Sequence, residues 1–226
     1  MGGYATLGEE ATLEVVHGML DKFYTTDKVI VRPQGYVKER TPSDDCLVIA
    51  CHLLLDLYHS CEPLNESYLV ECVVILQWGL EVSPKQFHFK LLLIEAYRLL
   101  GAYEPMHHMF TEMDVKHILW DTLLHTIHPS SWSFGALSRA KHMCEQEMKL
   151  DRDSRKDSFE YIFEAFKHGT YTKVTELIKF ESRMSHSLQL AQCRADYATI
   201  MIMDLLDSDT EGELSTFVAT MGGVRE

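Results

Sequence analysis

Positive charge is scarce in this chain: 21 Lys and Arg stand against 34 Asp and Glu, a formal net charge of −13 at pH 7. Phosphate backbones are bound by clustered cations, so this balance argues against nucleic acid as a direct ligand. Long apolar runs are missing too. No stretch approaches the roughly 18–20 residues needed to cross a bilayer. The opening Met1-Gly2-Gly3-Tyr4 lacks a charged segment followed by an apolar one, so a soluble, non-secreted, cytoplasmic chain is expected. The six cysteines (Cys46, Cys51, Cys61, Cys72, Cys144, Cys193) lack the density and spacing of a disulfide framework and read as small buried apolar residues in a reducing compartment. Without a secretory leader, the sequon Asn65-Glu66-Ser67 is not expected to be glycosylated. Strand signals are nearly absent, with only Lys28-Val29-Ile30-Val31-Arg32 looking β-prone.

Helical spacing is what remains. Thr12 to Tyr24 places Leu13, Val16, Leu20 and Phe23 on one stripe. After Pro33, Gly35 and Thr41-Pro42, a helix capped by Ser43 or Asp44 runs to about His59, with Leu47, Leu54, Leu55 and Tyr58 inward. Further helices are expected over Glu66–Trp78, Pro84–Leu100, Glu104–Glu112, Val115–Thr126, Phe134–Leu150, Asp157–Lys167, Thr172–Met184 and Ser187–Leu206. Pro84 and Pro105 fall in first turns, where the missing N–H costs nothing. The mixed-charge run between Leu150 and Phe159 reads as a solvated turn, and the acidic residues from Asp207 onward as a flexible tail.

An internal repeat organises these helices. Gly101, Gly135 and Gly169 are spaced 34 residues apart, and each is followed at fixed offsets by apolar or small residues. The sets are Tyr103, Met106 and Phe110; Leu137, Ala140 and Cys144; Tyr171, Val174 and Ile178. One period earlier Leu69, Cys72 and Leu76 keep the pattern, with Ser67 in place of the glycine. A period near 34 residues is that of tetratricopeptide repeats. The glycine permits a tight turn between antiparallel helices, and the following aromatic packs between them. Tyr97, Gly101, Tyr103, Gly135, Gly169 and Tyr171 form this structural signature. The fold class expected is all-α, a right-handed α-α solenoid of degenerate tetratricopeptide-like helix pairs. Residues 1–42 form an N-terminal helix and linker, residues 43–206 the repeats, and residues 207–226 the tail. Four units fall at about 53–86, 87–120, 121–154 and 155–188.

Chemistry-bearing motifs are not found. Twelve histidines cluster locally only as His107-His108, as His125 with His128, and as Cys51-His52 near Cys46 and Cys61; none has the spacing of a structural zinc site. There is no His-Glu-x-x-His stretch, no Gly-x-Ser-x-Gly elbow and no Gly-rich phosphate loop. No catalytic residue, cofactor or metal is therefore expected, and the chain is read as a non-enzyme. The first helix of each pair lines the concave face of a solenoid, where partners dock. The candidate partner-binding residues are His88, Glu95 and Arg98, then Thr122 and His125, then Lys156, Phe163 and Lys167.

The wording of one stretch goes beyond a repeat consensus. Gln86-Phe87-His88-Phe89-Lys90-Leu91-Leu92-Leu93-Ile94, with Tyr97 and Leu100-Gly101-Ala102-Tyr103-Glu104-Pro105, resembles an internal segment of the auxiliary subunit of the NatB N-terminal acetyltransferase. His52-Leu53-Leu54-Leu55-Asp56, Asp114-Val115-Lys116-His117-Ile118 with Asp121-Thr122, and Ser187-Leu188 with Ala191-Gln192 support it. The resemblance implies a non-catalytic helical-repeat subunit that wraps an acetyltransferase subunit. That partner acetylates nascent chains starting Met-Asp, Met-Glu, Met-Asn or Met-Gln, and the complex associates with the ribosome. The alternatives are an unrelated adaptor docking a peptide or helix in its groove, or a shortened relative without function of its own.

Overall fold

The computed structural model describes residues 8–29 and 42–207, and every regular element among them is helical. Ten α-helices follow in chain order: α1 (Glu9–Val29), α2 (Asp44–Ser60), α3 (Ser67–Val82), α4 (Phe87–Leu99), α5 (Tyr103–Glu112), α6 (Ile118–Leu123), α7 (His128–Ser133), α8 (Leu137–Lys167), α9 (Tyr171–Ser185) and α10 (Leu188–Asp207). A single 3-10 turn, Leu124–Thr126, separates α6 from α7. The chain divides into two compact units, Met1–Asp114 and Val115–Glu226. The first is assembled from helices packed mainly on their neighbours in the chain, as in an α-α solenoid, and in the second α8 packs on both α9 and α10.

In the first unit α1 packs on α2, α2 on α3, α3 on α4 and α4 on α5, with α2 also reaching α4. The period of the apolar residues sets this order. Val16 and Phe23 of α1, Leu47 and Leu54 of α2, Leu69 and Leu76 of α3, and Phe89 and Leu93 of α4 are all buried. Each such side chain contributes about 1.5–3 kcal/mol when fully removed from water. Phe23 meets Trp78 edge to face, with centroids 5.1 Å apart. Gly79 lies where α2, α3 and α4 converge, and a Cβ there would stand 2.9 Å from both Leu47 Cδ1 and Phe89 Cε2. Ser43 occupies the N-cap position of α2 but makes no capping side-chain bond. Its neighbour Asp44 is buried instead, accepting hydrogen bonds from Ser83 Oγ (3.1 Å) and Gln86 Nε2 (3.4 Å).

The three glycines of the 34-residue period adopt one conformation, with φ of 72°, 71° and 70° at Gly101, Gly135 and Gly169. Each ends a helix with the same bond across the turn. Ala102 N–H donates to the Tyr97 carbonyl (2.8 Å), Ala136 N–H to Ser131 (2.9 Å) and Thr170 N–H to Ala165 (2.9 Å). This is the left-handed cap that satisfies otherwise orphaned helix carbonyls and that glycine adopts without strain. Five residues beyond each glycine, Met106, Ala140 and Val174 are all buried, as is Cys72 one period earlier.

The second unit departs from the sequence reading in several places. Asp114 and His117 have positive φ (48° and 53°), so the helix expected over Val115–Thr126 begins only at Ile118 and ends in a 3-10 turn. The helix expected from Phe134 starts at Leu137, because Phe134 and Gly135 close the unforeseen short helix α7. The turn expected between Leu150 and Phe159 is absent. Residues 137–167 form one helix of 31 residues. That run contains neither Pro nor Gly, and Asp151, buried there, takes Arg155 (3.2 Å, i,i+4) and Arg194 of α10 (3.0 Å). In the first unit, Pro84 lies in the turn before α4 rather than inside its first helical turn. The β-prone stretch is helical as far as Val29, and its remainder lies outside the described residues, as does the tail beyond Asp207.

Candidate functional site

In the first unit His88, Glu95 and Arg98 share a stripe of α4, by their spacing of seven and three residues. His88 and Arg98 are exposed and Glu95 is half-buried. Arg98 forks onto both carboxylate oxygens of Glu95, at 2.7 and 2.5 Å. That bidentate bond holds the Glu95 carboxyl below its usual range and raises Arg98, so the two charges mainly answer each other. His88 stands at the start of the stripe with its ring edge to face against Phe87, 6.1 Å away. Lys90, half-buried on the same helix, donates to the Glu112 carbonyl at the end of α5 (3.0 Å).

In the second unit Thr122 is exposed on α6 and its hydroxyl donates back to the Leu119 carbonyl (3.0 Å). His125, on the 3-10 turn, lines an open cleft of about 510 Å³ with Asp121, Arg183, Ser187 and Gln192. Ser187 shapes that cleft: its hydroxyl bonds the Asp121 carboxylate and accepts the Leu190 N–H (3.3 Å), capping α10. Lys156, Phe163 and Lys167 lie on one face of α8, at intervals of seven and four. Phe163 is 71% exposed, and Lys167 pairs with Glu164 at 3.4 Å. Phe159 and Phe166 of the same helix are also exposed, as are Tyr171 and Ile178 of α9. Tyr171 was expected to pack between helices, yet it only edges Phe166 at 5.8 Å. Beside this apolar surface runs a groove of about 760 Å³ between α8 and α9, lined by Tyr161, Ala165, Leu177 and Phe180 with charged Glu164 and Arg183.

These surfaces offer aromatic and paired-charge contacts and no assembled nucleophile, base and oxyanion pocket among the described residues. The chain matches, over residues 1–221, the family described as "N-acetyltransferase B complex (NatB) non catalytic subunit". It belongs to that family. Relatives named as the NatB auxiliary subunit N-alpha-acetyltransferase 25, from Rattus norvegicus and Homo sapiens, are each 34% identical over 177 residues, covering 78% of this chain and 17% of theirs. The Arabidopsis thaliana auxiliary subunit is 25% identical over 170 residues, 75% of this chain and 16% of its own length. The chain thus spans about a sixth of the length of these curated relatives. Family members are non-catalytic subunits, which agrees with the expectation of a non-enzyme. No helix among the described residues is long and apolar enough to cross a membrane.

One constellation was invisible in the sequence. His128 at the start of α7, Cys144 of α8 and Cys193 of α10 are all buried, with one donor atom of each within 4.8 Å of the others. His128 Nε2 lies 3.2 Å from Cys144 Sγ, and its Nδ1 lies 3.7 Å from an Asp196 carboxylate oxygen. Burial lowers the His128 pKa, against the opposing pull of Asp196. The Cys144 thiol is pushed up by its hydrogen bond to Cys193 and by burial. The Cys193 thiol is drawn down by hydrogen bonds from Cys144 and from Gln189, whose Nε2 is 3.4 Å away. Separations of 16 and 49 residues match no local ligand motif. Only the packing of α7 and α10 against α8 brings the three together.

Proposed function

We propose that this chain is part of the helical scaffold with which a non-catalytic NatB subunit holds the catalytic acetyltransferase subunit, supporting acetylation of nascent chains that begin Met-Asp, Met-Glu, Met-Asn or Met-Gln. The observation that carries this reading is the family match over residues 1–221. Residues 43–206 act as tetratricopeptide-like repeats, flanked by an N-terminal segment (1–42) and an acidic tail (207–226). The stripe His88, Glu95 and Arg98 and the surface residues Thr122, His125, Lys156, Phe163 and Lys167 are the contacts offered to the partner. The complex works in the cytoplasm and meets the ribosome through other parts of the assembly, since a net charge of −13 disfavours contact with RNA.

Co-expression with a NatB catalytic subunit, followed by copurification and acetylation of a Met-Asp peptide, tests this. Copurification with activity above that of the lone catalytic subunit is the expected result. Failure of the two chains to associate would refute it. A second reading, an adaptor for a peptide or helix, draws on the α8–α9 groove and its exposed aromatics. It predicts that short amphipathic peptides bind without any acetyltransferase.

A further inference from the structure

The second unit is built on a thin hydrocarbon core. Of the twelve largest fully buried side chains among the described residues, nine lie in the first unit and only Leu124, Ile127 and Leu190 in the second. Where α7, α8 and α10 pack, the interior holds soft donors and polar groups instead: His128, Ser131, Cys144, Glu147 and Cys193. Glu147 is 1% exposed, and its Oε2 has no hydrogen-bond partner. Buried polar groups of this kind are costly unless something satisfies them.

We propose that His128, Cys144 and Cys193 form a binding site for one Zn²⁺ ion that staples α7, α8 and α10 together. The spacing fits. Zinc takes an imidazole nitrogen at about 2.0–2.1 Å and a thiolate sulfur at about 2.3 Å, which sets neighbouring tetrahedral donors roughly 3.5–3.8 Å apart. His128 Nε2 and Cys144 Sγ, now 3.2 Å apart, need only open by a few tenths of an ångström, and the whole donor set already lies within 4.8 Å. A carboxylate stands behind the imidazole: Asp196 lies 3.7 Å from Nδ1, a few tenths of an ångström beyond hydrogen-bond distance, and on closing would serve as the outer carboxylate of a metal-binding histidine. The Gln189 carboxamide, 3.4 Å from Cys193 Sγ, has an oxygen to offer the fourth position once the amide is turned.

Charge and softness select the ion. Two thiolates and a neutral imidazole cancel a divalent cation, leaving no net charge in a buried site, whereas Cu⁺ would leave one negative charge there. Hard cations such as Mg²⁺ and Ca²⁺ require oxygen donors that this set lacks. Binding replaces two thiol protons, which leave to solvent, and involves no redox step.

The test is a titration of the purified full chain, stripped with chelator, with Co²⁺ as the spectroscopic probe and Zn²⁺ as competitor. One equivalent of Co²⁺ should give a near-ultraviolet thiolate charge-transfer band that Zn²⁺ abolishes, and Zn²⁺ should raise the melting temperature. Cys144→Ser and Cys193→Ser should each weaken the band and lower affinity more than about a hundredfold, beyond the about ten- to hundredfold expected of Asp196→Asn. Should a thiol variant fail to fold by circular dichroism, His128→Gln and Asp196→Asn, which keep both sulfurs, decide the matter through affinity alone. No band in the unaltered chain overturns the proposal. So does a band of unchanged intensity and affinity in folded Cys144, Cys193 or His128 variants.

Discussion

Alanine should move stability in opposite directions at glycines that look alike in the sequence. At Gly135 and Gly169 an added Cβ meets no heavy atom within 4 Å, so the cost is backbone strain alone, at φ of +71° and +70°. An L-residue in that region is strained by about 1–2 kcal/mol. The stiffer unfolded chain returns about 0.4–1 kcal/mol. Gly135→Ala and Gly169→Ala should therefore each destabilise, by up to about 1.6 kcal/mol. Asparagine, which tolerates the left-handed region, should cost less. Gly18 also has open space around it but lies inside α1 without a positive φ, so Gly18→Ala should stabilise by about 0.5–1 kcal/mol. Urea unfolding followed by far-ultraviolet circular dichroism reads these variants, each kcal/mol moving the midpoint by roughly 0.3–1 M for a slope of about 1–3 kcal/mol per M. Alanine at 135 and 169 stabilising the chain would refute the assignment of strain to these turns, and Gly18→Ala costing anything would refute the open helical position at Gly18.

Asp153→Pro should cost about 3 kcal/mol and split α8, as a proline in a helix interior does; a midpoint unchanged in the same urea experiment would restore the turn that composition suggested. Glu147 is held at about 8, against an ordinary 4.5, first by burial and then by its hydrogen bond with Asp121. The folded chain therefore keeps a proton that the unfolded chain releases, so stability should fall as pH rises from about 4.5 to about 8, by at most about 1.4 kcal/mol per pH unit. Glu147→Gln should flatten that fall in a pH series of melting curves, and an unchanged slope would contradict it. Phe163→Ser removes a side chain that is 71% exposed, so stability should change by less than about 0.5 kcal/mol while copurification with the catalytic subunit drops. A stability loss above 2 kcal/mol would mean that Phe163 is packed rather than presented.

Much of the architecture could be read from the chain because it rests on local rules. Apolar spacing near 3.6 located the helices and their inward faces, so Leu47, Leu54, Leu55 and Tyr58 are buried as the pattern required. The 34-residue interval put Gly101, Gly135 and Gly169 at chain reversals, since only glycine enters the left-handed region without strain. The words around Phe87–Leu100 pointed to the family. What failed depended on partners distant in sequence. The charged run after Leu150 looks like a turn alone, but Arg194, 43 residues beyond Asp151, helps satisfy a buried carboxylate and keeps the helix continuous. Asp114 and His117 carry positive φ, which composition does not announce in residues other than glycine. Whether an apolar residue on a helix is core or surface was likewise undecided: Val174 and Ile178 share a face of α9, yet only the first is covered. The cluster of His128, Cys144 and Cys193 lies furthest from any sequence rule. Its members come from three helices, and proximity between them is a property of packing, which no interval along the chain encodes.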